Sequence, residues 1–109
     1  MLSQEWLEEI RVLSPEAREM TEAGLAYLYL PGLKLPKGCD PQVVDALLCL
    51  QPRDGYATRL FLSARLSTRP LNWGSHRILD REWYTWSWKD VSANMRPIEI
   101  LLGHLRALR

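Results

Sequence analysis

Residues 43–50 constrain the fold more than any other part of this chain, because they form an apolar run broken only by Asp45. A run of that length suits a strand packed on at least one face. The segment Gln51-Pro-Arg-Asp-Gly55 follows it and reads as a turn, with Asp-Gly as its strongest element. A strand needs neighbours, and two candidates are at hand. Residues 25–30 bring Tyr27, Leu28, Tyr29 and Leu30 up to the breaker Pro31-Gly32. Residues 56–66 alternate Leu60, Leu62, Ala64 and Leu66 with Arg59, Ser63 and Arg65. Residues 33–41, with Pro36, Gly38 and Pro41, read as a loop. Three strands joined by short connections predict an antiparallel meander.

Amphipathic helices are expected at both ends. Leu2, Trp6, Leu7, Ile10 and Leu13 recur at helical spacing among Glu5, Glu8, Glu9 and Arg11, and Ser14-Pro15 closes the pattern. Serine followed by proline and glutamate also suits the start of a helix, so residues 15–22 are expected to form a second short one before Gly24. At the other end Ile98, Leu101, Leu102, Leu105 and Leu108 trace one helical face, with Pro97 in the first turn. The fold class that results is α+β, a single domain over residues 1–109 with a β-meander flanked by an N-terminal and a C-terminal helix. The apolar content of 47% is enough to bury one core.

Cys39 and Cys49 are too few for a disulfide framework, and reduced thiols in a cytoplasmic protein fit them better. The N-terminus has neither the basic nor the apolar region of a secretory signal, and no apolar run reaches the length of a membrane helix. The formal charge of +1 conceals a division: residues 1–58 hold five basic and nine acidic side chains, whereas residues 59–109 hold nine basic and four acidic. A basic half gathered on one surface would attract an acidic partner in a salt-dependent way.

Beyond Leu66, residues 67–77 contain proline and glycine and show no period, and they are expected to be the longest loop of the molecule. Long ordered loops in compact domains are usually functional. Within it Trp73 has few apolar neighbours, and Arg65, Arg69, Arg77 and Arg81 surround it in sequence, the mixture of aromatic and guanidinium groups that protein interfaces favour. The block Trp83-Tyr-Thr-Trp-Ser-Trp88 follows. Strand alternation there puts Tyr84, Trp86 and Trp88 on one face and Trp83 on the other, with the tryptophans closing the core under the last helix.

Three places taken together carry a resemblance: Leu35-Pro-Lys-Gly38, Gly55-Tyr56, and the block from Trp83 to Trp88 followed by Arg96-Pro97 and the last helix. In their order and spacing they resemble the prokaryotic E2 family E, a bacterial branch of the ubiquitin-conjugating-enzyme superfamily. The similarity spans about residues 20–109, with Ala57 where the family has proline after tyrosine and Met95 where a tryptophan would precede the Arg-Pro pair. It implies an E2-like fold in which Tyr56, Trp83, Trp86 and Trp88 are structural aromatics. It also implies a ubiquitin-like protein as partner, in the company of an E1-like adenylating enzyme and a JAB-type metalloprotease.

Thioester exchange requires an exposed cysteine in the loop after the third strand, and no cysteine occurs after Cys49. Cys49 falls in an apolar strand. Cys39 is expected to be more exposed, but it precedes the second strand, and its neighbour Asp40 would raise the thiol pKa. The oxyanion-supporting His-Pro-Asn motif is absent, although Asn72 and His76 fall in the corresponding loop. The expectation is therefore a non-catalytic module that binds through Arg65, Arg69, Asn72, Trp73, His76, Arg77 and Arg81. An active conjugating enzyme using Cys39 or Ser75, the latter beside His76, is the alternative, and a nucleic-acid or general interaction module is a further one. Small patch size, near-zero net charge and the lack of a recognised motif argue against nucleic acid. No metal site is expected, because Cys39, Cys49, His76 and His104 lack the short ligand pairs of zinc sites, and no nucleotide-binding glycine motif calls for a cofactor.

Overall fold

The computed structural model describes residues 2–69, 71–88 and 91–109. Helix α1 spans Gln4–Arg11 and begins where the hydroxyl of Ser3 accepts a hydrogen bond from the Trp6 amide, at 3.1 Å. Glu5 in the first turn and Arg11 in the last complement the helix dipole. Ile10 is fully buried, and Leu2, Leu7 and Leu13 pack beside it at the edge of the core. Ser14 then leaves the helix and donates its buried hydroxyl to the Pro31 carbonyl at 2.8 Å, tying α1 to the sheet.

The expected helix over residues 15–22 is a strand. β1 (Arg18–Glu22) pairs antiparallel with β2 (Leu25–Lys34) from Arg18 opposite Tyr29 to Glu22 opposite Leu25. Ala23 and Gly24 make the connection, both at positive φ, the geometry of a two-residue turn that follows the twist of its strands. A segment this short gains little from helix propensity alone, and pairing with β2 decides its conformation. Pro31-Gly32 also fails to end β2. It forms an irregularity between Leu30 and Leu33, where the Gly32 amide donates to the Asp45 carboxylate at 3.0 Å and pairing with β3 (Val43–Cys49) resumes at Leu33.

After β3 the chain turns through Asp54 and Gly55, both at positive φ, and enters β4 (Arg59–Leu62). This strand is shorter than the expected 56–66, because Tyr56 is used in a bridge to Arg53 that closes the turn. The expected long loop is shorter as well, because β5 (Gly74–Ile78) and β6 (Arg81–Thr85) form a hairpin through Leu79 and Asp80, again both at positive φ. The six strands make one antiparallel sheet in the order β1-β2-β3-β4-β6-β5. The sheet curls enough for its two ends to meet, since the Leu79 amide donates to the Glu22 carboxylate at 3.0 Å.

Helix α2 spans Pro97–Arg106. Glu99 accepts from the Arg96 amide, and the Arg96 guanidinium reaches Glu9 of α1 at 2.9 Å, joining the two helix ends. Its buried face holds Pro97, Ile100, Leu101, His104 and Leu105. This corrects the expected face, because Leu102 points outward, Ile98 is half-buried and His104 turns inward. Both helices pack on one face of the sheet, against Leu28, Leu30, Ala46, Leu48, Leu60 and Leu62. No helix among the described residues is long and apolar enough to cross a membrane.

Candidate functional site

Among the described residues no helix covers the other face of the sheet, yet Tyr27, Leu47, Cys49, Phe61, Ile78 and Trp83 are buried there. Their register explains how they meet: Tyr27 lies opposite Cys49, Tyr29 opposite Leu47, Leu47 opposite Phe61, and His76 opposite Trp83. Aromatic rings occupy the floor, and arginine side chains of the same face fold over them. Arg18 lies 5.0 Å above the Tyr29 ring, Arg81 4.8 Å above Trp83, and Arg59 4.1 Å above Tyr56. Arg53 and Arg59 also stand 5.6 and 5.7 Å from Phe61. Each contact combines ring burial with cation–π attraction, and the stems of Arg18 and Arg81 hide apolar surface while these two side chains remain exposed.

Carboxylates set these guanidinium groups in place. Asp54 Oδ2 receives Arg53 at 3.3 Å and Arg59 at 3.2 Å, and Asp45 Oδ2 receives Arg81 at 3.0 Å. Arg59 is only 9% exposed, and among the described residues its Nε finds no hydrogen-bond partner, so its charge rests on Asp54 and the aromatic faces. His76 sits within this group with its ring edge-on to Phe61 at 5.5 Å. Burial lowers its pKa first, Arg59 lowers it further, and Asp54 offsets part of the change. Between the sheet ends Arg18, Met20, Tyr29, Leu79, Arg81 and Trp83 line a small depression of about 200 Å³.

The residues expected to bind a partner are not brought together in one place. His76 and Arg81 join the guanidinium-roofed face. Arg69 is a structural clamp: its Nε donates to the Leu108 carbonyl at 2.7 Å and its terminal nitrogens to the carbonyls of Thr68 and Lys37. Trp73, named as a partner contact, is half-buried, with its ring edge-on to Trp86 at 5.5 Å and its indole N–H bonded to the Arg69 carbonyl. Few apolar neighbours in sequence did not mean few in space. Arg65 stacks 5.1 Å from Tyr84, Asn72 is exposed in the loop, and the Arg77 guanidinium donates to the Asp80 carbonyl.

Neither thiol is available. Cys39 was expected to be exposed but is buried, with its Sγ 3.6 Å from the Leu108 carbonyl. Burial, rather than the neighbouring Asp40, pushes its pKa up, and Arg69 pulls the other way. Cys49 is fully buried, and burial raises its pKa too. Ser75 and His76 are consecutive in β5, so their side chains take opposite faces and form no dyad. Ser67 is bonded to Asp40. Trp83 faces away from the side occupied by Trp86 and Trp88, as alternation predicted. Its indole N–H donates to the Ile78 carbonyl at 3.0 Å.

Sequence reasoning gave His104 no role. It is 1% exposed, inside the core. The Thr58 hydroxyl gives its single hydrogen to the Val91 carbonyl at 2.9 Å, so the bond between Thr58 Oγ1 and His104 Nε2, also 2.9 Å, is donated by the ring. Burial lowers the His104 pKa to about 4, which keeps the ring neutral and its donor in place. Compared with family models, curated proteins and solved structures, the chain matches none.

Proposed function

We propose that this chain is a non-catalytic E2-like module of a bacterial ubiquitin-like conjugation pathway, which holds a ubiquitin-like protein on the guanidinium-roofed face of its sheet. The burial of both cysteines, with none in the loop between β4 and β5, is the observation that supports a binding role over a conjugating one. Thioester exchange needs an accessible thiolate, and each thiol here is held protonated and covered. The roofed face supplies what recognition needs instead: arginines already oriented by carboxylates, over a rigid aromatic floor. Because the rings are occupied by guanidinium groups, they are poorly placed to stack nucleotide bases, which favours a protein partner over a single-stranded nucleic acid. An E1-like adenylating enzyme and a JAB-type protease are the further partners that the resemblance suggests.

Calorimetric titration with a ubiquitin-like protein encoded beside this chain tests the reading. Binding that Arg81→Ala weakens at least roughly tenfold is expected, since interface arginines are often dominant contacts. Incubation with ATP and the adenylating enzyme, followed by intact-mass measurement, is expected to leave the chain unmodified. A covalent adduct lost in Cys39→Ala or Ser75→Ala would overturn the non-catalytic role, and absence of binding would overturn the partner.

A further inference from the structure

On the helix side of the molecule, away from the roofed face, the end of α1, the β2–β3 connection and the outer edge of α2 enclose an open groove of about 590 Å³. Its apolar surface comes from Leu13, Leu35, Pro36, Leu102 and Leu105. Leu102 is 43% exposed in the middle of a helix whose inner face is already filled, so nothing in the fold requires a leucine there. Leu35 and Leu105 are buried and Leu13 and Pro36 half-buried, so Leu102 is the exposed member of a concave apolar surface, the form that peptide-binding grooves take.

Charge selects the occupant. The remaining lining residues are Lys34, Lys37 and Arg109, and among the described residues no acidic side chain lines the groove and none of these three cations forms an ion pair with a side chain. The depression on the other side of Leu102 lacks this character, because Glu99 and Arg106 both line it. We infer that the groove between α2 and the β2–β3 connection docks an acidic segment of a partner protein, which places a large apolar side chain against Leu102, Leu105 and Leu35 and carboxylates beside Lys34 and Lys37. Apolar contact supplies the affinity, and the cations fix the orientation and speed the encounter. The inference stands apart from the reading of the roofed face, since the two surfaces share no residue.

Selection of a phage-displayed random peptide library on the intact chain, with Leu102→Glu as the counter-selection, tests it. The enriched peptides are expected to combine aspartate or glutamate with leucine, phenylalanine or tryptophan. Fluorescence anisotropy with a labelled enriched peptide should show affinity falling at least roughly tenfold in Leu102→Glu and in the Lys34→Glu/Lys37→Glu double variant. Binding should weaken with added salt and be unchanged in Arg81→Ala. All three substituted side chains are exposed, so the thermal midpoints should stay with that of the parent. Enrichment of neutral or basic peptides, an empty selection, or equal binding to Leu102→Glu would each overturn the proposal. So would a concentration-dependent dimer in sedimentation that Leu102→Glu abolishes, because a second copy would then be the occupant.

Discussion

On the helix side of the sheet, Leu28, Ala46, Leu48, Leu60 and Leu62 lie under Ile10, Ile100, Leu101 and Leu105. On the other side, Tyr27, Leu47, Phe61 and Trp83 are buried as deeply with no helix among the described residues above them. The first face is closed by apolar side chains from separate elements, which is burial that salt hardly touches. The second is closed by the curl of the sheet and by its own arginines, which add cover only while they are held over the rings. The comparison teaches that a sheet face can be dry without a covering layer. Its roof is then made of charged groups that can turn to a partner.

The largest expected effect tests whether the roofed face is core at all. Phe61→Ala should cost about 3–5 kcal/mol and Leu62→Ala, its neighbour facing the helices, about 2–5 kcal/mol, measured by urea denaturation. If Phe61→Ala cost less than about 1 kcal/mol, the two faces would not be equivalent parts of one core.

The next effect belongs to the helix side. His104 titrates at about 4 in the folded chain and near 6.5 when unfolded, so the unfolded state binds more protons between those values. Its contribution is complete above the unfolded pKa and is lost as pH falls through the window toward 4, roughly 3 kcal/mol in all. His76 on the roofed face shifts in the same direction. Denaturation midpoints measured from pH 7 to pH 4 should fall, and His104→Gln should flatten most of that slope. An unchanged slope would place the pH sensitivity elsewhere.

A third substitution acts on the roof alone. Asp54→Asn keeps a residue that tolerates the turn's positive φ but removes the carboxylate shared by Arg53 and Arg59. Leaving the nearly buried Arg59 without its anion should cost about 1–3 kcal/mol. Removing that anion should also lower the His76 pKa further, a change that NMR titration can follow. The smallest stability effect is expected for Arg81→Ala, whose pair with Asp45 is substantially exposed: under about 1 kcal/mol. Because the same substitution is expected to weaken partner binding strongly, it separates the roof's recognition role from its structural one.

Several of these features were legible in the sequence. The period of Leu2, Leu7, Ile10 and Leu13 marked α1, the apolar run ending at Leu50 marked β3, and Asp54-Gly55 marked the turn after it. Alternation placed Trp83 opposite Trp86. Residues 18–22 and 74–78 were not legible, because both are edge strands whose conformation comes from a partner strand rather than from their own side chains. The burial of Cys39 and the contacts of Trp73 were not legible for a related reason: Leu108 lies against the first and Trp86 against the second, and neither neighbour is adjacent in sequence.

What the sequence determined by itself was therefore local: hydrophobic period, turn residues, and the lack of a cysteine beyond Cys49. Only the tertiary structure decided that Arg81 meets Asp45, that Arg18 covers Tyr29, and that His104 is bonded to Thr58 inside the core. Such meetings depend on strand register and on the curl of the sheet. Both are set by how the whole chain packs, and no short stretch of sequence encodes them.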